Sequence, residues 1–177
     1  MNWRENIFLF HGKGGRPIGS VMQLEELLRP EFPQTRFYRP ALLHGDPAVL
    51  AEESLRAIEE LEIPEGATII GISLGGLVAA RLQETARKDL QVIAISSPTW
   101  ADGVSVARMM PHRLALYSSR DAVIEGRTAE WPWLAEAHDL PWLTHDTDAH
   151  KRPLTRIVAC YLRGGDVGAE IEAVAKL

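Results

Sequence analysis

The sequence predicts an α/β protein, three layers deep, with helices on both faces of a mostly parallel sheet of about six strands. Three observations predict it. Short apolar runs alternate with longer segments of helical spacing, the order that builds parallel sheets. The runs are apolar at consecutive positions rather than alternate ones, as expected of strands buried on both faces. Each run gives way to Gly, Ser, Pro or charged residues, as strand ends do. At 177 residues the chain is about one domain long, so 1–177 is read as a single unit with one sizeable core.

Each element has a local reason. Ile7–Phe10 is a buried-strand run that stops at Gly12, Gly14 and Gly15. Ile18–Leu28 places Val21, Leu24, Leu27 and Leu28 on one helical face and ends at Pro30. Arg36–Tyr38 is a short strand before Pro40. Leu50–Leu61 repeats the helical pattern through Leu50, Leu55, Ile58 and Leu61, with Pro47 suited to its first turn. Thr68–Ile72 is a strand, and Leu77–Ala86 is a small-residue helix able to approach a sheet closely. Gln91–Ile95 and Leu114–Tyr117 are further strands. Trp131–Ala137 reads as a helix, Leu140–Leu143 as a short sixth strand and Leu154–Leu162 as a helix before Gly164 and Gly165; Gly168–Leu177 is a weak last helix or a frayed tail.

Composition excludes several classes. With 46% apolar and 24% charged residues the chain is not a disordered one. Nineteen Lys and Arg against 24 Asp and Glu give a net charge of −5, which argues against a nucleic-acid partner. No apolar stretch approaches the roughly 18 residues of a membrane span, and no signal segment is visible. The lone Cys160 permits no internal disulfide and fits a reducing compartment. The expectation is a soluble cytoplasmic protein without membrane partners; a homo-oligomer is admissible. No metal-ligand spacing or cofactor motif is found. Cys160, in the last apolar helix, reads as a small core residue.

In such a sheet, ligands bind where loops leave the carboxyl ends of the strands. One loop stands out. Gly71-Ile72-Ser73-Leu74-Gly75-Gly76 is a G-x-S-x-G string between a strand and a helix, expected about 0.05 times by chance in a chain of this composition. Small residues let the chain turn sharply, project the Ser73 hydroxyl above the sheet and set it at a helix N-terminus. A serine is a poor nucleophile until a base takes its proton. Two histidines follow the Leu140–Leu143 run. His150 is preferred because a polar loop, Asp146 to Ala149, provides reach; His145, which abuts the run, is the alternative. An acid must then orient the base. Asp121, just past Leu114–Tyr117, is preferred and Asp102 is second. The oxyanion of acyl transfer needs two backbone N–H donors. Leu74, after the serine, offers one, and the His11-Gly12-Lys13-Gly14-Gly15 loop offers the other, with Lys13 favoured.

These residues resemble the α/β-hydrolase superfamily over nearly the whole chain, in the strand leading into His11–Gly15, the Gly71–Gly76 turn, Ser119-Arg120-Asp121 and His150, and in the order Ser, Asp, His. The resemblance implies a minimal α/β-hydrolase fold and a Ser73–His150–Asp121 triad with Lys13 and Leu74 as oxyanion donors. The chain is short for that family. Only Thr99–Arg113 could supply a lid, so a large one is not expected. Substrate-pocket candidates are His11, Gly12, Gly14, His44 and Trp100, with Met109 and Met110 as further lining and Lys13, Arg16 and His44 as donors at the mouth. The expected activity is hydrolysis of a small soluble ester without a cofactor. Thioesters or amides, or a non-catalytic binding role on the same fold, are the alternatives.

Overall fold

The computed structural model describes residues 2–176. Six strands form one sheet: β1 (Asn6–Phe10), β2 (Arg36–Tyr38), β3 (Thr68–Ile72), β4 (Gln91–Ile95), β7 (Arg113–Tyr117) and β8 (Glu136–Asp139). Their order is β2-β1-β3-β4-β7-β8 and every pairing is parallel. The remaining two strands, β5 (Trp100–Ala101) and β6 (Val104–Ser105), make a small antiparallel hairpin outside the sheet. The helices are α1 (Ser20–Leu28), α2 (Ala51–Glu59), α3 (Leu74–Thr85), α4 (Trp131–Leu134), α5 (Lys151–Leu162) and α6 (Val167–Val174).

The pleat sorts each strand between two cores. Ile7, Leu9, Ile70, Ile72, Ile93, Ile95, Leu114 and Leu116 face α1, α5 and α6. Phe8, Phe10, Ile69, Val92, Ala94 and Ala115 face α2 and α3. Burial on both sides is why every position of β1, β3, β4 and β7 is buried.

The sixth strand departs from the sequence reading. Leu140–Leu143 is not a strand; Glu136–Asp139 is, and the helix before it stops at Leu134 instead of Ala137. β8 is the sheet edge and half exposed, so it carries Glu, His and Asp rather than an apolar run. Leu140 and Leu143, just beyond it, are buried in the α1/α5 core. The hairpin is a second departure. Asp102 and Gly103 both have positive φ, +46° and +84°, the conformation of an Asp-Gly type I′ turn.

From β1 the chain moves outward to β2, then returns to place β3 on the other side of β1. This reversal opens a crevice above β1 and β3, where their outgoing loops part.

Among the described residues no helix is long and apolar enough to cross a membrane, and no group of three or more His, Cys, Asp or Glu could hold a metal ion.

Candidate active site

Ser73 sits at the crevice between β3 and α3, with φ +52° and ψ −124°, a region that non-glycine residues rarely adopt. The strain is held from several sides. Ser73 N–H donates to the Ile95 carbonyl at 2.9 Å, and the Ser73 carbonyl accepts from Gly76 N–H at 3.0 Å. Two glycines are required by close approach. A Cβ on Gly71 would stand 2.4 Å from the Gly75 backbone, and one on Gly75 would stand 2.4 Å from the Phe10 carbonyl oxygen. The turn is therefore wedged directly against the end of β1. Leu74 opens α3, so its N–H has no partner within the helix.

The His11–Gly15 loop lies alongside. Gly12 packs so closely that a Cβ there would come within 3.1 Å of the Ser73 Cβ. Two buried histidines brace the loop from behind. Leu42 N–H donates to His11 Nε2 at 3.0 Å, which leaves the ring proton on Nδ1, 2.9 Å from the Gly12 carbonyl. His44, wholly inaccessible, donates from Nε2 to the His11 carbonyl at 2.7 Å and accepts from the Ser54 hydroxyl at Nδ1, 2.6 Å away. Its own carbonyl takes the Gly14 N–H at 2.8 Å. Burial drives the His44 pKa down from 6.5 to about 4. The Lys13 charge adds to that, and the bond to the His11 carbonyl opposes it. His44 is thus a neutral strut.

Ser73 opens onto a cavity of about 390 Å³. Lys13 and Leu74 line it on the serine side, Ala101 and Asp102 come from the hairpin, Val123, Ile124 and Arg127 from the segment after β7, and His145 from the loop after β8. His145 Nδ1 is 2.9 Å from Asp121 Oδ2. Asp121 is 5% exposed and also accepts Val123 N–H on Oδ1 at 3.0 Å. A carboxylate bonded to Nδ1 leaves Nε2 as the free ring nitrogen. Ser73 and His145 share the cavity without a direct hydrogen bond, a bond that in unliganded sites often closes only when substrate arrives.

Several sequence expectations are corrected here. His150 is not at this cavity. The polar loop expected to carry it over the sheet winds instead into a 3₁₀ turn, Thr147–His150. Its flanks dock on α1, with Asp148 and Lys151 both bonded to Gln23. His150 itself bonds Thr144 Oγ1 at 3.1 Å and lies 5.5 Å from the Trp142 ring. The alternative, His145, is the histidine that meets Asp121. Asp102 is engaged elsewhere, accepting from Lys13 Nζ at 2.8 Å.

The five pocket candidates also take other places. His11 and His44 are buried braces, Gly12 backs onto Ser73, Gly14 sits in the loop with φ +72°, and Trp100 stands outside the cavity, half exposed, under the Arg127 guanidinium. Met109 is 64% exposed and does not line the cavity. Arg127, Val123 and Ile124 do line it, and they carry no motif that would reveal this in the sequence. The Asp102-Gly103 dipeptide is a turn signal that points to the hairpin.

Cys160 is partly exposed, and burial together with the neighbouring Glu170 and Asp166 raises its thiol pKa, which makes it a poor nucleophile.

No protein-family model matches the sequence, and no curated protein matches it. Solved structures do. Alpha/beta hydrolase domain-containing protein 10 from mouse superposes with a TM-score of 0.72 at 10% identity, over 90% of each chain. Est1E from Butyrivibrio proteoclasticus, solved with ferulic acid, gives 0.66 at 13% identity over 90% of this chain and 88% of that one. Esterase PE8 gives 0.66 at 19% identity over 91% and 92%. Likeness at such low identity shows the fold alone: the chain shares the α/β-hydrolase fold of these structures.

Proposed function

We propose that the chain is a serine hydrolase acting on small acyl esters, with Ser73 as nucleophile, His145 as base and Asp121 as the acid that orients it. The observation that carries this reading is the Asp121–His145 pair at 2.9 Å on the wall of the cavity that Ser73 enters. Asp121 holds the proton on Nδ1 and stabilises the imidazolium that forms. Nε2 takes the Ser73 proton as Oγ attacks the acyl carbon. The resulting oxyanion is received by Leu74 N–H and Lys13 N–H, and loss of one such donor typically costs about 3 kcal/mol. The imidazolium then protonates the leaving alcohol. In the second half, His145 takes a proton from water, which attacks the acyl-serine; the imidazolium then returns that proton to Ser73 Oγ as the acyl–oxygen bond breaks and the acid leaves.

The test uses a fluorophosphonate label and p-nitrophenyl acetate on four proteins. Wild type and His150→Gln are expected to label and turn over; Ser73→Ala and His145→Gln are expected to do neither. An unlabelled wild type, or labelling that survives His145→Gln and is lost in His150→Gln, overturns the assignment.

A further inference from the structure

Three of the four ionisable side chains that line the cavity already have partners of opposite charge or a hydrogen-bonding acid. Lys13 is paired with Asp102 at 2.8 Å, and His145 with Asp121 at 2.9 Å. Arg127 is the exception. Among the described residues its guanidinium meets no carboxylate within ion-pair distance, and its side chain makes one hydrogen bond, from Nη2 to the Val123 carbonyl at 3.0 Å. An arginine carries five N–H donors in a planar fork, so most of the fork is uncommitted.

The fork is also held in place. The guanidinium carbon lies 5.5 Å from the centre of the Trp100 ring, which supports one face and leaves the donor edge free. The Arg127 backbone is fixed by the buried Thr99, whose N–H and hydroxyl reach the Arg127 carbonyl at 2.6 and 3.0 Å. Around it the cavity wall is apolar, with Pro98, Ala101, Val123 and Ile124. A positioned, unpaired cation beside an apolar wall favours a substrate that brings its own anion.

We infer that Arg127, stacked on Trp100, is a specificity residue that binds a free carboxylate on the substrate, so that the preferred esters are half-esters of small dicarboxylic acids or esters of small hydroxy acids. This rests on the serine-hydrolase reading for its kinetic test but not for its binding test. The carboxylate lies away from the bond that is cut, and Arg127 takes no part in the chemical step.

The kinetic test compares kcat/KM on two matched pairs. One is p-nitrophenyl hemiglutarate against its methyl ester, with the charge on the acyl side. The other is 4-acetoxybenzoate against its methyl ester, with the charge on the leaving group. Wild type is expected to favour the anion about 10- to 100-fold in one of the two pairs, the range for a charge-assisted pair. Arg127→Gln should bring that ratio to about one, and Arg127→Lys should leave it between the two because the charge remains without the fork. A wild type that favours the neutral ester in both pairs, or an anion preference that survives Arg127→Gln, overturns the inference. Glutarate and benzoate binding, followed by amide chemical shifts around residues 121–127, is the measurement independent of turnover. Shifts in wild type that are absent in Arg127→Gln support the site even if no ester is cleaved, and no response to either anion in wild type sinks it. Failure of Ser73-dependent labelling, by contrast, removes the hydrolase reading alone.

Discussion

His44 gives the sharpest stability prediction because its burial and its neutrality are one constraint. In the unfolded chain it takes a proton near pH 6.5; in the fold it resists until about pH 4. Between those values the unfolded state binds more protons, so acid favours unfolding. The stability that depends on a neutral His44 is fully present above pH 6.5 and is lost as the pH falls toward 4. At about 1.4 kcal/mol per pH unit, that window is worth about 3 kcal/mol. His44 is wholly buried, so solvent screening does not reduce this figure, and added salt should change it little because desolvation is its main cause. The assay is urea unfolding of wild type and His44→Gln at several pH values from 7 to 4. At pH 7 the variant should be weaker by about 1–3 kcal/mol, since the His11 carbonyl and the Ser54 hydroxyl lose a matched partner. Its stability should then fall by about 3 kcal/mol less than wild type on acidification, so the two curves converge. Parallel curves would refute the reasoning, because they would mean that His44 protonates alike in both states.

Three other perturbations test separate parts of the molecule. Asp121→Asn should keep the fold, read by circular dichroism, and lower kcat by up to about 10⁴-fold, the loss seen when a triad histidine is held in the wrong tautomer; unchanged turnover would remove Asp121 from the site. Gly75→Ala should lower stability by about 1–3 kcal/mol or more, or roughly 2–4 °C of melting temperature per kcal/mol, because its Cβ would stand 2.4 Å from the Phe10 carbonyl oxygen and 2.7 Å from that of His11, both backbone atoms. Arg113→Met should cost about 3–5 kcal/mol in chemical denaturation. It removes a buried guanidinium that bonds Gln83 and the carbonyls of Ala80, Arg108 and Leu134 and that lies 3.5 Å from the buried Glu84. Glu84 also receives the Ala107 and Arg108 N–H groups that follow the hairpin, so the variant should loosen that wall of the cavity.

How far the sequence can be read follows from where each residue sits. Interior strands announce themselves because both faces are buried, as in Thr68–Ile72 and Gln91–Ile95. The edge strand Glu136–Asp139 does not, because half-exposed positions need no apolar run, and the leucines that follow it imitate a strand. Ser73 is legible because a strained turn demands glycines at fixed offsets, and Asp121 because it follows a strand whose end is obvious. The choice between His145 and His150 is not local. It depends on whether the loop extends or coils, and the docking of Asp148 and Lys151 on Gln23, over 120 positions away, decides that. Arg127 is invisible for the same reason: its place on the cavity depends on Thr99 and Trp100, contributed by another segment.

The contact between Gly75 and the end of β1 also divides the molecule by what can change over generations. Backbone touches backbone there, so the half that holds Ser73 tolerates almost no variation in side-chain bulk. The opposite half is made of a two-residue-per-strand hairpin and a short turn after β7, joined through side chains such as Arg127 and Trp100 that stand partly in solvent. Mutational libraries aimed at new substrates are best confined to residues 100, 101, 104 and 105 and to 122–127, leaving the positive-φ turn at Asp102 and Gly103 intact. There, diversity can accumulate while the machinery across the cleft stays as it is.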